Sequence, residues 1–130
     1  MNTRSEDRCP GALLVVEDDP GVAQSLSWAL ESAGRRCYVV ESVDQAVETL
    51  GSQPDVVDVL LDRGVLGGEI VDAVARLRKA APQATLIGTS GRDCRDEFRS
   101  AGISIFLEKP WSVMNLLERR GRDAADASQP

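Results

Sequence analysis

Five short runs of aliphatic and β-branched residues, each followed by a stretch with helical periodicity, limit what this chain can fold into. Leu13-Leu14-Val15-Val16 is apolar at every position, as a strand buried on both faces must be. Cys37–Val40, Val56–Leu61, Thr85–Ile87 and Ile103–Leu107 read as four further strands, the third interrupted by a polar Asp58. Between them, Val22, Leu26, Ala29, Leu30 and Ala33 share one helical face that closes at Gly34. Val43, Ala46, Val47 and Leu50 make a second face ending at Gly51, and Ile70, Val71, Val74 and Leu77 a third. A charged helix at about 93–101 and a last one through Val113, Leu116 and Leu117 complete the series. Helix starts are marked by Asp19-Pro20, by Ser42 with Gln45, and by Ser112. Strands alternating with helices imply one α/β domain, a doubly wound five-stranded parallel sheet with helices on both faces.

The 130 residues suit a single domain, and Leu, Val, Ile and Phe together reach about a quarter of them, enough for a packed core. Residues 1–10 and 121–130 lack apolar periodicity and are expected to be flexible tails around a domain at 11–120. No apolar run approaches the ~18 residues of a spanning helix, so a cytoplasmic location away from membranes is expected. The net charge of −6 argues against a nucleic-acid partner, whose phosphates demand basic patches. Cys9, Cys37 and Cys94 have no C-x-x-C spacing and build neither a disulfide framework nor a zinc knuckle; Cys94 is expected to be exposed. The chain has no histidine, which removes histidine general bases, Ser/His/Asp and Cys/His sites and most zinc enzymes.

In open parallel sheets the site lies beyond the carboxyl ends of the strands. Those ends carry Glu17, Asp18 and Asp19 after the first strand and Asp62 after the third. Thr89, Ser90 and Gly91 follow the fourth, and Lys109-Pro110 the fifth. Carboxylates converging on one crevice repel one another unless a cation sits among them, and oxygen-only donors favour Mg²⁺ or Mn²⁺. A lysine and a hydroxyl at the same rim are what an incoming phosphoryl group needs. Lys109 is one of only two lysines beside thirteen arginines.

Val15-Val16-Glu17-Asp18, Leu60-Leu61-Asp62, Ser90-Gly91 and Phe106-Leu107-Glu108-Lys109-Pro110 together resemble the receiver domain of two-component response regulators. The resemblance runs from about residue 12 to 120. It implies a flavodoxin-like (βα)5 fold in which Asp62 takes a phosphoryl group from the phosphohistidine of a sensor kinase or histidine phosphotransfer protein. It implies Mg²⁺ (or Mn²⁺) held by Glu17, Asp18, Asp62 and the carbonyl of Gly64, with Lys109 paired to the bound phosphoryl. Ser90, with Thr89 as the alternative, would supply the switch hydroxyl, and Phe106 stands at the place of the switch aromatic. A face of helix 4, strand 5 and helix 5 would then be read by a downstream effector, or would form a homodimer on phosphorylation. Lys109-Pro110 resembles the family's cis peptide. Gly64 and Arg92, two residues beyond Asp62 and Ser90, flank the path of a hydrolytic water and are expected to tune phosphoryl lifetime. Arg63 stands where the family commonly has an apolar residue, Leu66 where proline is frequent, and the loop Gly64–Gly68 is about a residue short.

The reading is a stand-alone phosphoacceptor module rather than an enzyme. Its alternatives are a pseudo-receiver that docks partners without phosphorylation, or a receiver excised from a larger hybrid kinase or regulator. A hydrolase using Asp62 as nucleophile would want a second carboxylate where Gly64 stands. A flavin site is disfavoured because Glu17-Asp18-Asp19 would repel a cofactor phosphate.

Overall fold

A computed structural model describes residues 11–112, 114–116 and 118. Five parallel strands form one sheet in the order β2-β1-β3-β4-β5, where β1 is Ala12–Val16, β2 Cys37–Val40, β3 Val56–Asp62, β4 Thr85–Ser90 and β5 Ile105–Glu108. This is the flavodoxin-like order, and its switch point lies between β1 and β3. Helices α1 (Pro20–Ser32), α2 (Val43–Ser52), α3 (Ile70–Ala80) and α4 (Arg95–Ser100) alternate with the strands. A single helical turn at Arg63–Leu66 follows β3 directly, and residues 114–116 begin a further helical stretch. The expected tails, together with Val113 and Leu117, lie outside the described residues.

β1 is buried at every position because both of its faces are covered. Leu14 and Val16 enter a core shared with Leu61, Val74, Leu77 and Phe98, while Leu13 and Val15 enter a second with Leu30, Leu60, Ile87 and Leu116. The period-two alternation of a strand thus divides one apolar run between two layers.

The expected caps form. Asp19 accepts from the backbone N–H groups of Gly21 and Val22, with Pro20 at the first helical position of α1. Ser42 accepts from Gln45, whose side chain reaches back to the Glu41 N–H. Ser112 and Asn115 exchange a reciprocal pair of bonds. At the end of α1, Gly34 takes φ +83, the Gly34 N–H bonds the Glu31 carbonyl and the Arg35 N–H the Leu30 carbonyl. This Schellman arrangement delivers Arg35 to the amino end of the sheet. There it pairs with Asp58 at 2.7 Å and donates to the Gly11 carbonyl. The polar interruption in the third strand is therefore a buried ion pair.

Three expectations are corrected. β3 runs on to Asp62 and β4 to Ser90, so Asp62, Thr89 and Ser90 sit on their strands and not after them. β5 starts at Ile105; Ile103 is buried in the preceding loop. Cys94 is buried, not exposed, because α4 lies close against the sheet. Gly88 on β4 permits this approach: a Cβ there would stand 2.7 Å from the ring of Phe98, which is fully buried beneath α4.

Candidate acceptor site and metal centre

Glu17 follows β1 and Asp62 ends β3, and these strands are neighbours in register, Val16 opposite Leu61. Pairing of the strands therefore sets the two carboxylates side by side. Both are buried, Asp18 beside them is exposed, and oxygens of all three lie within 4.8 Å of one another. Lys109, beyond β5, reaches across to Asp62 Oδ1 at 3.0 Å and Glu17 Oε1 at 3.2 Å. The second oxygen of each acid accepts a backbone N–H, Gly64 to Asp62 at 3.1 Å and Asp19 to Glu17 at 3.2 Å. Burial works against the Lys109 ammonium, yet the hydrogen bond and charge of Asp62, then those of Glu17, hold its pKa above the ordinary lysine value.

One lysine against three carboxylates leaves the crevice with an excess of two negative charges. Oxygen donors in this number, with Asp18 open to solvent, suit a hard divalent cation that keeps part of its water shell. Gly64 sits against Asp62: a Cβ there would come within 2.9 Å of Asp62 Oδ2. A glycine leaves that approach clear.

The two hydroxyls of β4 have different surroundings. Thr89 Oγ1 donates to the Leu107 carbonyl at 2.7 Å, which uses its one proton, and accepts from the Trp111 indole at 2.8 Å. Ser90 Oγ accepts from the Arg92 N–H at 3.3 Å and from the Cys94 thiol at 3.6 Å, so it faces the start of α4. Arg92 is exposed and touches Ser90 through its backbone. Phe106 is buried on the α4 side of the sheet, its ring 5.6 Å from that of Phe98, with the Arg95 guanidinium 5.4 Å from its centroid. Lys109-Pro110 is cis, as expected.

Sequence reasoning missed two contacts. Arg63 pairs with Glu97 on α4 at 2.9 Å, and Thr89 anchors Trp111. The unusual Arg63 beside the acceptor was the available signal for the first; pairing across 34 residues has no sequence signature.

Residues 13–120 match the family described as response regulator receiver domain. The chain belongs to this family. Its members are signalling domains of two-component systems rather than enzymes that turn over a substrate. Over 110 residues the receiver is 28% identical to the KDP operon transcriptional regulatory protein KdpE of Escherichia coli (strain K12). That alignment covers 82% of this chain and 48% of KdpE, so the chain spans about half the length of this relative. A CheY-like receiver domain from Methanospirillum hungatei JF-1 superposes with a TM-score of 0.76 over 89% of this chain and 94% of that one, at 18% identity. The beryllofluoride-activated NtrC4 receiver domain dimer gives a TM-score of 0.71 over 85% and 93%, at 25% identity. Among the described residues no helix is long and apolar enough to cross a membrane.

Proposed function

We propose that Asp62 accepts a phosphoryl group from the phosphohistidine of a sensor kinase or histidine phosphotransfer protein, and that the receiver then signals to an effector from the cytoplasm. The observation that carries this reading is the convergence of Glu17, Asp18, Asp62 and Lys109 at the switch point of the sheet. A carboxylate oxygen of Asp62 attacks phosphorus, an O–P bond forms as the P–N bond breaks, and the imidazole nitrogen leaves with its electron pair. Mg²⁺ or Mn²⁺, held by Glu17, Asp18, Asp62 and the Gly64 carbonyl, would neutralise the transferring oxygens. Lys109 already touches Asp62 and is placed to pair with the phosphoryl that arrives there.

Ser90 is the better switch hydroxyl, since the Thr89 hydroxyl has its one proton on the Leu107 carbonyl and also holds Trp111. Drawing Ser90 toward a phosphoryl group would release the Cys94 thiol and disturb α4, β5 and Phe106, the surface from which an effector or a second copy would read the state. Gly64 leaves Asp62 open to water, and the exposed Arg92, bonded to Ser90 through its backbone, would slow its entry. The domain at 11–120 would carry this activity, either alone or as the receiver portion of a longer regulator.

Incubation with a small phosphodonor and Mg²⁺ tests the reading. The expected product is an acid-stable, base-labile adduct. Its absence from the wild-type protein would leave a docking module that works without phosphorylation.

A further inference from the structure

Arg63 immediately follows the acceptor, and its guanidinium pairs with Glu97 in the middle of α4. The Arg63 side chain is 19% exposed and that of Glu97 42%. Arg63 Nε is buried and has no hydrogen-bond partner among the described residues. A buried donor without a partner is costly, so the ion pair with Glu97 does not meet all of this guanidinium's hydrogen-bonding demand.

α4 has only six residues. Phe98 holds it over Gly88, and Arg95 lies over Phe106. At its start the Cys94 thiol bonds the Ser90 hydroxyl. The residue next to the acceptor and the hydroxyl across from it are thus both fastened to one short helix.

We propose that the Arg63–Glu97 pair is a positioning device for Ser90, acting through α4. Bound to Glu97, Arg63 ties the acceptor loop to α4 in the arrangement where Cys94 retains the Ser90 hydroxyl. A phosphoryl group on Asp62 draws that hydroxyl away and must loosen α4 to do so. The pair therefore favours the unphosphorylated arrangement, and by linkage it lowers affinity for a phosphoryl group by the same factor. A cation bound without a phosphoryl group makes no demand on Ser90 and is indifferent to the pair. The inference rests on the acceptor reading above.

Glu97 is exposed enough for Glu97→Gln to leave the fold intact. Calorimetric titration would measure affinity for Mg²⁺ alone and for beryllofluoride, a phosphoryl mimic, in saturating Mg²⁺. In Glu97→Gln, beryllofluoride is expected to bind about two- to fivefold more tightly, the range for a partly exposed ion pair. Mg²⁺ affinity is expected to be unchanged, and ligand-free amide exchange across residues 95–100 to quicken. Arg63→Met should reproduce the split, and the double variant should add nothing further. Unchanged beryllofluoride affinity, or a parallel change in both affinities, overturns the positioning role while the acceptor reading stands. Failure of the wild-type protein to bind beryllofluoride overturns both.

Discussion

Strand β3 carries two buried aspartates, one toward each end, and they are neutralised in opposite ways. Asp58, at the amino end, has a whole guanidinium to itself. Arg35 pairs with it at 2.7 Å, is as buried as its partner, and spends a further donor on the Gly11 carbonyl. Asp62, at the carboxyl end, shares one ammonium with Glu17 and stands beside a third carboxylate. Burial does not tell these two acids apart. Charge balance does: the amino end is closed as built, whereas the carboxyl end has a deficit of positive charge that a divalent cation would fill.

Exchanging their roles is the strongest way to break this comparison. Asp62→Asn removes the carboxylate proposed to attack, and complete loss of the base-labile adduct is expected, with urea unfolding in the absence of Mg²⁺ little changed. Asp58→Ala should do the reverse. It strands the Arg35 guanidinium in the core and should cost about 3–5 kcal/mol of stability, read from urea midpoints. Whatever remains folded should still take up phosphoryl groups. The paired replacement Arg35→Met with Asp58→Leu should recover most of that loss, because an apolar pair needs no counter-charge. Full stability in Asp58→Ala would show that Arg35 is satisfied elsewhere and that the amino end is less closed than its geometry indicates.

Cation binding sharpens the contrast on a smaller scale. At a free Mg²⁺ concentration one hundred times its dissociation constant, stability should rise by about 2.7 kcal/mol. Asp62→Asn and Asp18→Asn should reduce that increment, since each replaces one of the three carboxylates with a neutral amide. The Arg35→Met, Asp58→Leu protein should retain it in full. An equal increment in all four would place the cation outside the crevice.

The sheet was legible because β1 and β3 are covered on both faces, and the apolar run needed for that is conspicuous in sequence. The carboxylates and Lys109 were legible for a related reason: parallel strands bring their carboxyl ends to one edge, so residues far apart in the chain must meet there. Asp58 looked like an interruption because its partner, Arg35, lies beyond α1 and is delivered by the turn at Gly34. Cys94 looked exposed because its burial depends on how closely α4 approaches β4, which Gly88 sets. Short-range pattern shows elements and their ends, whereas the distance between a helix and a sheet depends on one small residue facing one large one.

The smallest expected effect is an alkaline pH dependence carried by Lys109 at the carboxyl end. Guanidinium groups stay charged at accessible pH and contribute no alkaline limb. Lys109 is different, because Asp62 and Glu17 outweigh burial and raise its pKa in the folded state. Above the ordinary lysine pKa of about 10.4 the unfolded chain gives up its proton first, so the folded state binds more protons and stability must fall as pH rises. The contribution is therefore complete at neutral pH and is lost as pH climbs through the folded-state value. Burial of the Tyr38 phenol and the Cys37 thiol raises their pKa values as well, giving falling limbs of the same sign. The difference in urea midpoint between wild type and Lys109→Gln, followed into alkali without Mg²⁺, isolates the lysine and should shrink once its folded-state pKa is passed. Saturating Mg²⁺ places positive charge beside the ammonium and offsets the pull of Asp62, so the same difference should become smaller and begin to fall at lower pH. A difference indifferent to Mg²⁺ would mean that Lys109 and the cation do not share these carboxylates.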